Sequence, residues 1–229
     1  IGSGGRDKTQ MAIEILKSHR FLSEFIKRHN LKPEIMAVKS WDVENNRLIF
    51  NKEVYNEQDD TWHWNTSSQW KQQQQPTDQE TIRSLRSKII FSQDKESGLV
   101  NISALHQSPF VAQQWVQWLV NDINQYMREQ DIAESEKSIG YLKAKLEKTP
   151  LAEMQKIFYE LIEVQTKTKM LAEIRDQYVL KVIDPPRVPE LKDKPKRALI
   201  CVLAVLVSGM LGIMLVFFMK LFIINQVAD

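Results

Sequence analysis

The chain has 229 residues, of which 26% are charged, and a formal net charge of +2. A charge so close to balance excludes the bulk electrostatic attraction typical of nucleic-acid-binding proteins. The single cysteine, Cys201, excludes a disulfide framework and a thiolate metal site within the chain.

The first part of the chain is predicted to be helical. After the glycine-rich opening, Asp7 and Gln10 have the spacing of a capping box, apolar residues then recur at helical intervals, and Asn30 supplies a stop. Because the chain starts at Ile1 and not at a methionine, we expect the natural protein to begin earlier, so that any signal sequence or first membrane span would precede Ile1.

The stretch from residue 34 to residue 75 predicts two short strands or an irregular loop pair around Asn45 and Asn46, followed by a polar glutamine-rich loop. Tryptophan is concentrated here, at Trp41, Trp62, Trp64 and Trp70. We interpret these side chains as packing anchors of a small domain. A platform that stacks on sugars, or a belt at a membrane interface, is the alternative.

A second helix is predicted to start at Thr77, which stands three residues before Glu80 in capping-box register. The next segment predicts a β-hairpin, because apolar and polar residues alternate from Val100 to Ala104 and residues 94–98 supply a turn.

The longest predicted element begins at Ser108 and Pro109, an N-cap followed by proline at the first helical position. Its roughly 40 residues would span about 60 Å. The first half carries an apolar stripe, and the second half is mostly charged, so we expect the helix to leave a core and enter solvent. The stripe consists of Trp115, Leu119, Ile123 and Tyr126.

Pro150 is predicted to break this helix, and Thr149 to cap the next one. The second helix carries a heptad-like stripe, which is typical of coiled coils: Met154, Phe158, Leu161, Val164, Leu171, Ile174 and Tyr178. The sequence leaves open whether the two helices stack end to end or fold back as an antiparallel pair. The following segment, YVLKVI, predicts a strand that returns to the base.

An uncharged apolar run extends from Ala198 to Met219, and its 22 residues would span about 33 Å as a helix. This length predicts a transmembrane helix, to which we assign residues 198–224. Small residues recur every four positions on one face, which indicates helix–helix packing: Ala204, Ser208 and Gly212. Before the run, a collar combines stiff prolines with basic residues at the expected headgroup level: Pro186, Pro189, Lys194, Pro195, Lys196 and Arg197.

The predicted fold class is therefore α+β, with a membrane-proximal α/β base domain, a long helical projection and a transmembrane helix. Residues 1–107 form the first part of the base, and residues 108–177 form the helical projection. Residues 178–197 form the returning strand and the collar, and residues 198–224 form the membrane helix.

The collar resembles the hallmark of the Wzz-type polysaccharide co-polymerases, the O-antigen chain-length determinants. Pro186 and Pro189 match its Pro-x2-Pro, Lys194-Pro195-Lys196 follows at the family's spacing, and Gly212 occupies the last glycine of its Gly-x3-Gly. Ser208 stands where the first glycine is expected, which weakens any claim of a strict glycine pair. Further similar segments are MAIEILKS, DKESGLVNISALHQSPFVAQQWVQWLV, KTKMLAEIRDQYV and VIDPP, so the resemblance covers nearly the whole chain.

The resemblance implies a bacterial inner-membrane protein with most of its chain in the periplasm, although the basic residues before the run would by themselves favour the opposite orientation. It implies a homo-oligomeric ring that acts with an O-antigen polymerase, and with the growing polysaccharide and the membrane lipid as further contacts. It implies a regulator and not an enzyme. Related co-polymerases for enterobacterial common antigen or for capsule and exopolysaccharide export remain alternatives, as does a periplasmic pump-adaptor scaffold.

The search for chemical sites supports a non-enzymatic reading. His19, His29, His63 and His106 have no metal-ligand spacing, and the glycines near the start lack the pattern of a phosphate-binding loop. The Asp59–Asp60 pair lies in a polar loop, where solvated carboxylates are expected. We assign no catalytic residue, no metal, no cofactor and no nucleic-acid partner.

Overall fold

A computed structural model describes residues 3–64, 75–94, 96–189, 200–212 and 214. The chain divides into two compact units, residues 1–188 and residues 189–229. The helices of the first unit are α1 (Ser3–Lys17), α2 (His19–Arg28), α3 (Lys32–Met36), α4 (Asp78–Lys88), α5 (Pro109–Leu146) and α6 (Ala152–Ile174). The strands are β1 (Val38–Asp42), β2 (Arg47–Phe50), β3 (Tyr55–Asn56), β4 (Thr61–Trp62), β5 (Ile89–Gln93) and β6 (Val100–Ala104). In the second unit, residues 200–212 form a helix, α7.

The predicted fold class is wrong in two respects. The described part of the chain is mainly helical, and its strands form three separate two-stranded hairpins instead of the layered sheet of an α/β base. In the described ranges no helix is both long enough and apolar enough to cross a membrane. Of the predicted span 198–224, residues 198–199, 213 and 215–224 lie outside the described residues.

Local start and stop signals act mostly as predicted. The Thr77 side chain accepts a hydrogen bond from the Glu80 N–H, and the Glu80 carboxylate accepts one from the Thr77 N–H. Ser108 caps α5 by accepting from the Val111 N–H, and Asn30 ends the first helical region at a positive φ of 50°.

Three local predictions are wrong. Helix α1 begins at Ser3, so Asp7 lies inside the helix and is not its cap. The first helical segment also divides at Ser18, whose hydroxyl caps α2 by accepting from the Phe21 N–H. The N-cap of α6 is Leu151 and not Thr149. The Thr149 hydroxyl instead donates to the Lys145 carbonyl of the preceding turn, which removes it from a capping role.

Each hairpin pairs neighbouring strands in antiparallel register: β1 with β2, β3 with β4, and β5 with β6. The predicted hairpin around Asn45 and Asn46 is confirmed, and Asn46 adopts the left-handed conformation of its turn. The predicted hairpin from residue 89 to residue 104 is confirmed as well. Its turn uses Gly98 at a φ of 71°, where a side chain would be strained.

The hydrophobic core forms where the first half of α5 meets α1, α2 and α4. Trp115, Leu119 and Ile123 are fully buried, as the predicted stripe requires, and Tyr126 packs partly buried beside them. They belong to one buried cluster with Leu16, Leu22, Phe25 and Leu85 of the neighbouring helices. Burial of such large apolar side chains supplies most of the stability of this unit.

The segment after α6 returns to the core without forming the predicted strand. Residues 175–189 contain no regular secondary structure. The Asn124 side chain of α5 takes the place of a partner strand: its Oδ1 accepts from the Val179 and Leu180 N–H groups at 2.8 and 2.9 Å, and its Nδ2 donates to the Leu180 carbonyl at 2.9 Å. A helix side chain therefore satisfies the backbone that the sequence pattern assigned to a sheet.

A second clamp holds this segment. Tyr178 donates a short hydrogen bond to Asp131 of α5, and Lys8 of α1 forms a 2.5 Å ion pair with the same carboxylate. Burial and the hydrogen bond to the Asp131 carboxylate raise the pKa of Tyr178. The return segment is thus tied to both α5 and α1.

Candidate assembly surface on the helical hairpin

Helices α5 and α6 form an antiparallel hairpin, which decides the choice that the sequence left open. Lys169 of α6 forms a 2.7 Å ion pair with Glu136 of α5. Farther toward the core, Ser135 of α5 and Ala172 of α6 are buried. The predicted break at Pro150 is confirmed, because α5 ends at Leu146 and α6 begins at Ala152.

One face of α6 is committed to α5. Every residue at the spacings of a heptad seam on this face is half-buried or buried, and we call the set the inner seam: Gln155, Phe158, Ile162, Gln165, Lys169 and Ala172. Alternating steps of three and four residues place these positions along one line of the helix. The inner seam is therefore occupied by a partner helix within the chain.

A second heptad line runs next to the first and has no partner helix among the described residues. It contains Met154, Ile157, Leu161, Val164 and Leu171, and we call it the outer seam. These five side chains are 39–57% exposed, although all of them are large and apolar. The heptad-like stripe predicted from the sequence combines residues of both lines, because Phe158 belongs to the inner seam and Leu161 to the outer seam.

The outer seam has the geometry of a helix-packing surface. Apolar residues at heptad spacing on a helix usually face another helix, because water contact along such a line is unfavourable. Exposed charged residues border it on α6, among them Lys156, Glu160, Glu163 and Lys167, as at the edges of coiled-coil interfaces. The hairpin thus presents a surface suited to a third helix.

A buried polar cluster around His106, Glu34 and Lys88 is the strongest alternative site. The His106 Nδ1 accepts from the Ser108 N–H at 3.1 Å, so the ring proton resides on Nε2, which donates to the Glu34 carbonyl at 3.2 Å. Burial lowers the pKa of His106 and raises the pKa of Glu34. The Glu34 carboxylate accepts from Trp115 Nε1 at 2.9 Å.

Lys88 completes this cluster. Its Nζ donates to the Ile35 carbonyl at 2.5 Å, and burial lowers the pKa of its amine. Each group of the cluster has a protein partner, so the cluster ties α3, α4 and α5 together. We assign it a structural role, and within the described ranges no group of three or more His, Cys, Asp and Glu side chains could hold a metal ion.

Of the tryptophans that the structure describes, Trp41 and Trp62 contact other aromatic rings, whereas the Nε1 of Trp64 is buried with no hydrogen-bond partner among the described residues. Trp41 donates to the Asn46 side chain at 3.0 Å and its ring lies 5.9 Å from that of Phe110. The Trp62 ring lies 4.7 Å from that of Tyr55. Trp70 lies outside the described residues.

The structure describes part of the predicted collar and of the predicted packing face. Pro186 is half-buried and its carbonyl accepts from the Gln113 side chain at 2.8 Å, while Pro189 is exposed. Lys194, Pro195, Lys196 and Arg197 lie outside the described residues. Ala204, Ser208 and Gly212 lie on α7 and are exposed, with the Ser208 hydroxyl bonded to the Val205 carbonyl.

Comparison with known proteins gives neither a matching family model nor a matching curated protein.

The outer seam could have been predicted from the sequence, because two adjacent heptad lines can be counted on α6. The sequence did not reveal which line α5 would cover.

Proposed function

We propose that this chain is a non-enzymatic regulator of surface polysaccharide length, acting on lipopolysaccharide O-antigen as a ring-shaped homo-oligomer together with a membrane polymerase. The observation that supports assembly is the outer seam, an apolar heptad line on a helix whose neighbouring line is already filled. The segments that resemble Wzz-type co-polymerases support the choice of pathway. In this proposal the protein acts at the bacterial inner membrane, with most of its chain in the periplasm.

The hairpin suits a role in assembly better than one in chemistry. In a closed ring the contact between copies is head-to-tail, so the outer seam of one copy would pack against a different surface of its neighbour, and this contact would repeat around the ring. The ring would then provide a fixed surface beside the polymerase and its growing product. Related co-polymerases for other surface glycans would use the same surface, so the glycan has to be established by experiment.

The first experiment is a gel of lipopolysaccharide from cells that lack this gene, and from the same cells complemented with it. We expect a modal cluster of bands that disappears on deletion and returns on complementation. Unchanged banding in both strains would contradict a role in O-antigen length. It would redirect the search to another surface glycan or to a pump-adaptor scaffold.

The outer seam gives a residue-level prediction. Replacing Leu161 and Val164 by glutamate removes two exposed apolar contacts, each worth about 1–1.5 kcal/mol when buried. We expect the double variant to self-associate more weakly by a factor of about thirty to a hundred, as measured by sedimentation, and to lose modal banding in cells.

The matched control uses Tyr159→Glu with Met170→Glu. These side chains are 61% and 53% exposed on the same helix but lie off the outer seam. The control should retain both assembly and banding. If the two double variants weaken association equally, the effect comes from added charge on α6 and the outer seam is not the interface.

A further inference from the structure

A cleft of about 600 Å³ lies between the β5–β6 hairpin, α5 and the return segment. We call it the β6 cleft. Its walls include Val100 and Ile102 of β6, Val116 and Val120 of α5, and residues 179–184 of the return segment. The cleft is separate from the outer seam, so the proposed assembly does not use it.

The strand that borders the cleft has an unpaired edge. The Asp94 N–H donates to the Leu99 carbonyl and the Leu105 N–H donates to the Lys88 carbonyl, which fixes the hydrogen-bonded pairs of this hairpin. In antiparallel pairing such pairs alternate with non-hydrogen-bonded ones. Gln93 and Val100 therefore form a non-hydrogen-bonded pair, and so do the alternate pairs that follow.

The N–H and C=O groups of Val100, Ile102 and Ala104 consequently point away from β5. Nothing in the described part of the chain pairs with this edge, since β6 belongs to a two-stranded sheet. Unpaired strand edges are templates for an added strand. From Val100 to Ala104 the edge extends about 17 Å, which accommodates about five residues of an extended chain.

The opposite wall is formed by residues 179–184 of the return segment, which belong to neither a helix nor a strand. Asn124 satisfies the backbone of Val179 and Leu180, but the backbone N–H and C=O groups of Lys181 and Ile183 make no hydrogen bond with the described residues. The side chains along the walls are mostly aliphatic. A cleft with free backbone groups on two sides and aliphatic walls suits an extended peptide.

The lining also discriminates between ligands. The described lining contains no aromatic side chain on which a sugar ring could stack, which disfavours the polysaccharide as its occupant. Its charged side chains are Asp94, Asp184 and Lys181. Asp184 forms a 3.4 Å ion pair with Arg187, so Asp94 is the acidic group that has no ion-pair partner among the described residues. A basic residue in the bound peptide would complement Asp94.

We propose that the β6 cleft binds an extended segment of another protein, apolar at alternate residues and carrying lysine or arginine, which adds to β6 as a third strand. Backbone hydrogen bonds to Val100 and Ile102 hold the segment, the aliphatic walls receive its alternate side chains, and Asp94 attracts its basic residue. This inference stands independently of the proposed function.

The test uses the full chain and a synthetic peptide of sequence Lys-Val-Thr-Val-Thr-Val-Lys with blocked ends. We expect binding by calorimetry and at least about tenfold slower hydrogen exchange at the Val100 and Ile102 amides. Peptides N-methylated at every second residue, in the two alternate registers, test the backbone contact. At least one of them should bind about tenfold more weakly.

Protein variants localise the contact. Val100→Pro removes an outward N–H at the first residue of β6, where proline is tolerated, and should weaken binding about tenfold. The matched control is Gln93→Pro, which removes an outward N–H from the opposite edge of the same hairpin and should bind like the parent. Val120→Lys, which adds bulk and positive charge to the α5 wall, should also weaken binding.

Three outcomes overturn the proposal. The first is absence of binding up to about 1 mM peptide. The second is equal binding by the parent and both N-methylated peptides, since this excludes strand addition. The third is protection of the Val100 and Ile102 amides that rises with the concentration of the chain alone, which makes a second copy the occupant.

Discussion

Asn124 offers the sharpest test of how the first unit is held together. Its side chain is 4% exposed and makes three hydrogen bonds to the backbone of Val179 and Leu180. Asn124→Ala removes all three and leaves the buried backbone of Leu180 without partners. At about 1 kcal/mol for each hydrogen bond, we expect the free energy of unfolding to fall by about 3 kcal/mol.

This loss corresponds to a decrease in Tm of about 6–12 °C for a unit of this size. Urea unfolding gives the free energy, and hydrogen exchange at Val179 and Leu180 shows where the loss occurs. Asn121→Ala is the control, because Asn121 is an exposed asparagine on the same helix. It should change the free energy by less than about 0.5 kcal/mol.

The reasoning is refuted if Asn124→Ala costs less than about 1 kcal/mol and the two amides keep their protection from exchange. Such a result would mean that apolar contacts of the return segment, and not this side chain, hold it against α5.

Three further predictions concern single positions. Burial lowers the pKa of the His106 imidazole below its ordinary 6.5, so the unfolded chain protonates this ring more readily than the folded chain does. The stabilisation associated with neutral His106 is therefore complete above pH 6.5 and decreases as the pH falls toward the lowered pKa. The free energy of unfolding of His106→Gln, measured in urea at several pH values, should therefore decrease less at acidic pH than that of the parent. Identical pH profiles for the two chains would contradict a lowered pKa of His106. Gly98→Ala should lower the free energy of unfolding by about 1 kcal/mol, because Gly98 has a positive φ. Gly140→Ala, at a helical position with open space around it, should raise the free energy of unfolding by up to about 1 kcal/mol. If calorimetry shows Tm shifts of the same sign for both variants, these two predictions are refuted. Thr77→Ala should lower the free energy of unfolding by about 1 kcal/mol through loss of the N-cap. Thr77→Ser, which keeps a capping hydroxyl, should retain most of this free energy in the same urea unfolding measurement.

The sequence predicted those features whose causes lie within a few residues. The Thr77 cap, the Ser108 start and the Gly98 turn each depend on side-chain chemistry and backbone conformation at neighbouring positions. They could be predicted because no distant partner is needed to form them.

The features that the sequence predicted wrongly, or left open, depend on distant partners. The alternating pattern after Tyr178 is typical of a strand, but Asn124, 55 residues earlier for Val179, satisfies the backbone instead. Heptad counting detected apolar residues on α6 but could not divide them between the seam that α5 covers and the exposed one. The assigned membrane helix rested on an apolar run, but in the described ranges no helix is both long enough and apolar enough to cross a membrane.

The distribution of burial along α5 has a mechanical consequence. Its first half is anchored by fully buried side chains up to Met127, but of the described residues between 128 and 151 only Ser135 is buried. The α5–α6 hairpin is therefore held at its core end, where Lys8 and Asn124 tie the return segment to the core, and has few buried contacts toward the turn at Pro150. Its tip can open by local unfolding while the core end stays closed. Changes of length or sequence at the tip are thus decoupled from the stability of the core, and the reach of the hairpin can vary without a new fold.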